Sequence, residues 1–151
     1  MGELKRILLA EDNAKDVELT LAALGENHLA NEVVVVRDGE QALQYLKKEG
    51  AYKDRPNGNP AVVLLDLKMP KVDGLQVLKE IKANEQLKAI PVVMLTSSRE
   101  EKDLVASYNL SVNAYVVKPV NFAEFLEAVK NLGVFWALLN EPPPGSVKKK
   151  T

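Results

Sequence analysis

The sequence predicts an α/β protein, a doubly wound sandwich in which five parallel strands alternate with five helices. Three observations point there. Short aliphatic or β-branched runs lie at residues 6–10, 32–36, 61–65, 91–95 and 114–117, each bounded by polar or turn-forming residues. Most of these runs are continuously apolar rather than alternating, as expected of parallel strands covered on both faces. Helically spaced stretches follow each run, and right-handed crossovers then put helices on both sides of one sheet.

The helices are read from their apolar spacing. Val17, Leu21 and Leu24 mark the first; Ala42, Leu43 and Leu46 the second; Leu75, Leu78 and Ile81 the third. Leu104, Val105 and Tyr108 mark a weaker fourth, and Phe122, Phe125, Leu126, Val129 and Leu132 the last. Residues 49–60 (EGAYKDRPNGNP) are rich in turn formers and charge and read as a long, solvated loop. Residues 141–151 (EPPPGSVKKKT) form a proline-led polar tail with too little apolar surface to pack. One domain over 1–140, its last helix extended, followed by a disordered tail over 141–151, is the expected organisation.

The length of 151 residues suits a single domain, and 46% hydrophobic residues suffice for its core. With no cysteine, disulfides, thiolate zinc sites, iron–sulfur clusters and cysteine nucleophiles are excluded. His28 is the single histidine, and nothing near it supports a catalytic triad or a multi-histidine metal site. Twenty basic against 21 acidic residues give a net charge of -1, so no basic field speaks for nucleic acid or anionic lipid. No apolar run is long enough to span a bilayer, and a cytoplasmic location is expected.

Ligands of open parallel sheets bind beyond the carboxyl ends of the strands. Those ends carry Glu11 and Asp12 after the first strand, Asp66 after the third, Thr96 after the fourth, and Lys118-Pro119 after the fifth. Two like charges about 4 Å apart repel by roughly 4 kcal/mol at an effective dielectric near 20, so three carboxylates in one crevice call for a cation. Oxygen ligands without His or Cys favour Mg²⁺. A lysine and a hydroxyl at the same edge suit the remaining oxygens of a phosphoryl group. The combination points to phosphoryl chemistry on a carboxylate.

These residues resemble the receiver domain of two-component response regulators from Lys5 to about Leu132. The matching positions are Glu11-Asp12, Asp66 within Leu64-Leu65-Asp66-Leu67-Lys68-Met69-Pro70, Asp73-Gly74, Thr96-Ser97, Tyr115 and Lys118-Pro119. Thr96 lies 30 and Lys118 52 residues after Asp66, the spacing that family uses. The resemblance implies a flavodoxin-like sheet with strand order 2-1-3-4-5 and Asp66 as phosphoacceptor. It implies a metal site of Asp12, Asp66 and the backbone carbonyl of Lys68, with Glu11 acting mainly through water. The expected metal is Mg²⁺, with Mn²⁺ or Ca²⁺ able to replace it. Lys118 would pair with the phosphoryl group, Thr96 would swing toward it, and the Tyr115 ring would follow. Asp73 and Gly74 would close the loop and start the third helix, and the Lys118–Pro119 peptide would be cis.

The implied protein is a signalling phosphoacceptor rather than an enzyme. Its donor would be a sensor histidine kinase, and it would relay the signal by being bound by another protein, because no output module is evident after Leu132. The 49–60 loop and the Phe-Trp ending resemble the small response regulators of bacterial phytochromes, which implies a phytochrome-type kinase. Passing the phosphoryl group to a histidine phosphotransfer protein, and a receiver shape that takes no phosphate, are the alternatives. A haloacid-dehalogenase-type phosphatase is disfavoured, since Lys68 stands where its second Asp belongs. Phe135, Trp136 and Leu138 add apolar surface beyond the last helix and are the expected contacts of a homodimer.

Overall fold

The computed structural model describes residues 6–25, 33–55, 58–98, 100–101, 105 and 114–131. In chain order the elements are β1 (Ile7–Ala10), α1 (Ala14–Gly25), β2 (Val33–Val36), α2 (Gly39–Lys47), β3 (Val62–Asp66), α3 (Gly74–Ala83), β4 (Val92–Thr96), β5 (Ala114–Val117) and α4 (Phe122–Asn131). The five strands are parallel in the order β2-β1-β3-β4-β5, the doubly wound topology expected from the sequence. Of the predicted fourth helix, Val105 is described, and it is fully buried. His28, the cluster of Phe135, Trp136 and Leu138, and the 141–151 tail lie outside the described residues.

Continuous apolar runs become strands here because both faces of the sheet are covered. Every residue of β1, β3 and β4 is buried. Successive side chains nevertheless go to different layers, as the two-residue period of a strand requires. Leu8, Ala10, Val63, Leu65 and Met94 join Leu43 and Leu46 of α2 and Leu78 and Ile81 of α3. Ile7, Leu9, Leu64, Val93 and Leu95 join Leu24 of α1 and Phe125 and Val129 of α4.

Caps set where the helices begin. Asn13 Oδ1 accepts the Asp16 N–H at 3.0 Å at the start of α1. Asp38 accepts the Gln41 N–H at 2.8 Å to open α2, and Asp73 the Gln76 N–H at 2.9 Å to open α3. At the other end of α2, Lys48 takes the left-handed conformation with φ 58°.

The 49–60 segment is less a free loop than its composition predicts. Residues Gly50–Tyr52 form a 3₁₀ turn, and Arg55 folds back onto the end of α2. Its guanidinium donates to the Tyr45, Leu46 and Gly58 carbonyls at 2.6, 3.3 and 2.9 Å and lies over the Tyr45 ring, 4.3 Å from its centroid. Helix-end carbonyls lack partners within the helix and carry partial negative charge, so a planar cation is drawn to them. Composition cannot reveal such a long-range cap.

Candidate functional site

The parallel register brings the polar strand ends to one edge. Ala10 pairs with Leu65 and Asp66 with Leu95, so Glu11, Asp66 and Thr96 follow one another across β1, β3 and β4. Glu11 and Asp66 continue the parity of Leu9 and Leu64, the residues facing α1 and α4. Thr96 continues the parity of Met94, which faces α2 and α3, and Tyr115 pairs with Met94 and packs in that same layer. The edge therefore has two sides, carboxylates on one and the Thr96–Tyr115 pair on the other.

Carboxylate oxygens of Glu11, Asp12 and Asp66 all lie within 4.8 Å of one another. Oxygens on one octahedral Mg²⁺, at about 2.1 Å from the ion, are about 3 to 4.2 Å apart, so a trio held within 4.8 Å is close to the span a single hard cation needs. Asp12 is exposed and opens the cluster to solvent, whereas Glu11 is fully buried and Asp66 is 4% exposed. The loop carrying Asp12 is held by the Glu11 N–H donating to Val36 at 3.0 Å and by Arg37 donating to the Asp12 carbonyl at 3.2 Å.

Electrostatics at this edge are tense. Burial, then the charge of Asp66 and a hydrogen bond shared with it, push the Glu11 carboxyl up to about 7, against the Asn13 N–H and Lys118. Burial also raises Asp66, although its hydrogen bond to Glu11 and the nearby Lys118 oppose the rise. Without a cation, burial and mutual repulsion lead the pair to share a proton. A divalent cation would replace that proton, which is why the residues present fit one.

Lys118 supplies the other charge. Its Nζ lies 3.1 Å from Glu11 Oε1, 3.0 Å from Asp16 Oδ2 and 3.2 Å from Asp66 Oδ1. Burial alone would lower its pKa; the hydrogen bond to Asp16 and the charges of Asp66 and Glu11 more than offset this and hold the ammonium well above its ordinary range. The Lys118 N–H donates to the Thr96 carbonyl at 2.8 Å, and the following peptide to Pro119 is cis.

The Thr96 hydroxyl is fully buried and has no hydrogen-bond partner. An orphaned buried hydroxyl costs about 1 to 3 kcal/mol, which suits a group whose partner arrives with another state of the site. Tyr115 is half-buried, and its burial raises the phenol's pKa. Asp73 and Gly74 sit directly beneath the acceptor: the Gly74 N–H donates to Leu67 at 2.8 Å, and a Cβ on Gly74 would stand 2.0 Å from the Asp66 carbonyl oxygen.

Two residues here were not foreseen. Asp16 reaches Lys118 from the first turn of α1, and Glu101 accepts the Ser97 N–H at 2.8 Å while pairing with Lys68 at 3.3 Å. The Ser97 N–H, opposed by partial burial and assisted by Lys68, lowers the Glu101 pKa. Both residues carry a sequence signal with a more ordinary meaning. Asn13-x-x-Asp16 and Ser98-x-x-Glu101 read as helix starts, and Ser98 Oγ indeed accepts the Glu101 N–H at 3.3 Å. Thr96 makes no such cap. Lys68, a predicted contributor through its carbonyl, extends its side chain into solvent, 80% exposed, to meet Glu101.

Comparison with known proteins shows the family. The response regulator receiver domain family matches residues 7–130. Response regulator Rcp1 of Synechocystis sp. is 42% identical over 132 residues, 87% of this chain and 88% of Rcp1, and Rcp1 has been solved in a Mn²⁺-bound form. The bacteriophytochrome response regulator AtBRR is 66% identical, superposes with a TM-score of 0.87, and is matched over 93% of this chain and 100% of its own. The phosphorylated cyanobacterial phytochrome response regulator RcpA is 43% identical with a TM-score of 0.72, over 95% of this chain and 100% of its own. No helix among the described residues is long and apolar enough to cross a membrane. The chain belongs to the response regulator receiver domain family of two-component signalling proteins and is related to the response regulators of phytochromes.

Proposed function

We propose that this response regulator accepts a phosphoryl group on Asp66 from the histidine of a phytochrome-type sensor kinase, with Mg²⁺ bound by Glu11, Asp12, Asp66 and the Lys68 carbonyl. The observation that carries the reading is Asp66 itself. It is a buried carboxylate within 4.8 Å of two others, with an ammonium 3.2 Å away. An Asp66 oxygen bonds to phosphorus while the P–N bond to the kinase histidine breaks, the electron pair leaving with the imidazole. Mg²⁺ would supply charge neutralisation between the carboxylates and the phosphoryl oxygens. Lys118 holds a further phosphoryl oxygen, and the Thr96 hydroxyl gains the partner it lacks. Thr96 and Tyr115 share one side of the sheet edge, so movement of the first opens space for the second and carries the change toward β5.

The output is a change in what binds the domain. Support comes from the two phytochrome response regulators matched over their whole chains. A homodimer through Phe135, Trp136 and Leu138 belongs to the same reading and rests on their apolar sequence. Sedimentation tests it: a chain that stays monomeric at tens of micromolar, roughly -6 kcal/mol of association, in both phosphorylation states would end that part. For the acceptor, acetyl phosphate with Mg²⁺ should add one phosphoryl mass to the wild type and none to Asp66→Asn. Equal labelling of the two would refute the assignment.

A further inference from the structure

Lys118 has one carboxylate partner that the metal does not need. An ammonium has three N–H donors, and here three carboxylates surround it: Glu11 at 3.1 Å and Asp16 at 3.0 Å, both hydrogen-bonded, and Asp66 as an ion pair at 3.2 Å. Glu11 and Asp66 belong to the cluster that would close around a cation, while Asp16 stands on α1 outside it. A cation entering the cluster would draw on the same carboxylates that Lys118 now holds. The Lys118 side chain is 14% exposed, so its ammonium is largely shielded from water and is favoured by an anion that stays beside it.

Resting on the phosphoacceptor reading above, we infer that Asp16 is a positioning residue: it anchors the Lys118 ammonium at the edge of the site and so releases the oxygens of Glu11 and Asp66 to the metal. Its backbone serves the helix start, its N–H donating to Asn13 at 3.0 Å, and its side chain is left for Lys118. That side chain is 28% exposed, at the rim of the site. With Asp16 in place, the ammonium shifts its weight from three carboxylates to one when the cation arrives, and it stays within reach of Asp66. Without it, Lys118 rests on Glu11 and Asp66 alone and competes with the cation for both.

The competing account is that Asp16 only favours the N-terminus of α1, as an acidic residue in a first turn does. Mg²⁺ titration calorimetry on the full chain, with no phosphoryl donor present, separates the two. The proteins are wild type, Asp16→Asn, Asp16→Glu, Lys118→Ala and the Asp16→Asn/Lys118→Ala double variant. Asp16→Asn keeps the backbone N–H that reaches Asn13, so α1 is retained and circular dichroism should not change. It should weaken Mg²⁺ binding about threefold to tenfold, and on the Lys118→Ala background the same substitution should cost less than about twofold. Asp16→Glu should restore part of the loss. Equal effects on both backgrounds would reduce Asp16 to a distant charge, and an unchanged affinity in Asp16→Asn would leave it a helix-start residue; either result overturns the inference. Wild type that takes up no Mg²⁺ would instead refute the reading of the whole site, and the inference with it.

Discussion

Replacing Glu11 by glutamine should make the stability of the metal-free protein less dependent on pH. Glu11 is fully buried, and its carboxyl moves from an ordinary 4.5 to about 7 on folding. The folded chain thus holds that proton more tightly than the unfolded chain. The resulting stabilisation is complete below about 4.5 and is lost as pH rises through about 7. Between about pH 5.5 and pH 8 a shift of this size removes about 2 kcal/mol. Glutamine keeps one of the two oxygens that now accept from the Asn13 N–H and from Lys118 and gives up the other, a loss that does not depend on pH; because it never ionises, the variant lacks this slope. Urea unfolding at both pH values in chelator is the assay, read as the wild-type slope minus the variant slope, which removes other titrating groups. Saturating Mg²⁺ should restore the wild type at the higher pH, by about 2.7 kcal/mol at 100 times the dissociation constant, and should restore the variant much less. A variant that retains the wild-type slope in chelator, or gains as much from Mg²⁺, would refute the reasoning.

Three further substitutions probe the surroundings. Thr96→Val should leave the unphosphorylated protein as stable or up to about 1 kcal/mol more stable, because the hydroxyl it removes has no partner, while the conformational response to acetyl phosphate disappears. A loss above about 1 kcal/mol in denaturant would show that the hydroxyl is satisfied. Gly74→Ala would press a methyl group against the Asp66 carbonyl oxygen at 2.0 Å; a cost of about 1 to 3 kcal/mol and weaker Mg²⁺ binding should appear together in thermal unfolding and calorimetry. Arg55→Ala strips three carbonyls and the Tyr45 ring of their cation and should cost about 1 to 2 kcal/mol without altering Mg²⁺ affinity, since Arg55 packs on the end of α2 away from the metal cluster.

Much of this protein is legible without coordinates. Runs such as residues 62–65 are apolar on both parities because both faces are covered, so the pattern itself declares a parallel sheet between two helical layers. In such a sheet the polar residue ending each run must arrive at the same edge, which is how Glu11, Asp12, Asp66, Thr96 and Lys118 could be named together from spacing alone. What the chain could not declare is which side of that edge each group faces and what it touches. Thr96 lies one parity away from Asp66, and its orphaned hydroxyl exists only once the layers have packed. Asp16 and Glu101 stand at helix starts, a local role that accounts for their spacing without any distant partner. Their partners, Lys118 and Lys68, are 102 and 33 residues away in the chain, brought near by strand register rather than by any motif. Arg55 likewise closes α2 from a segment whose composition reads as solvent-facing. Local pattern is set by short-range sterics and burial, and so it can be read along the chain; ion pairs and caps between distant segments depend on where the packed elements come to rest, and only the tertiary structure decides them.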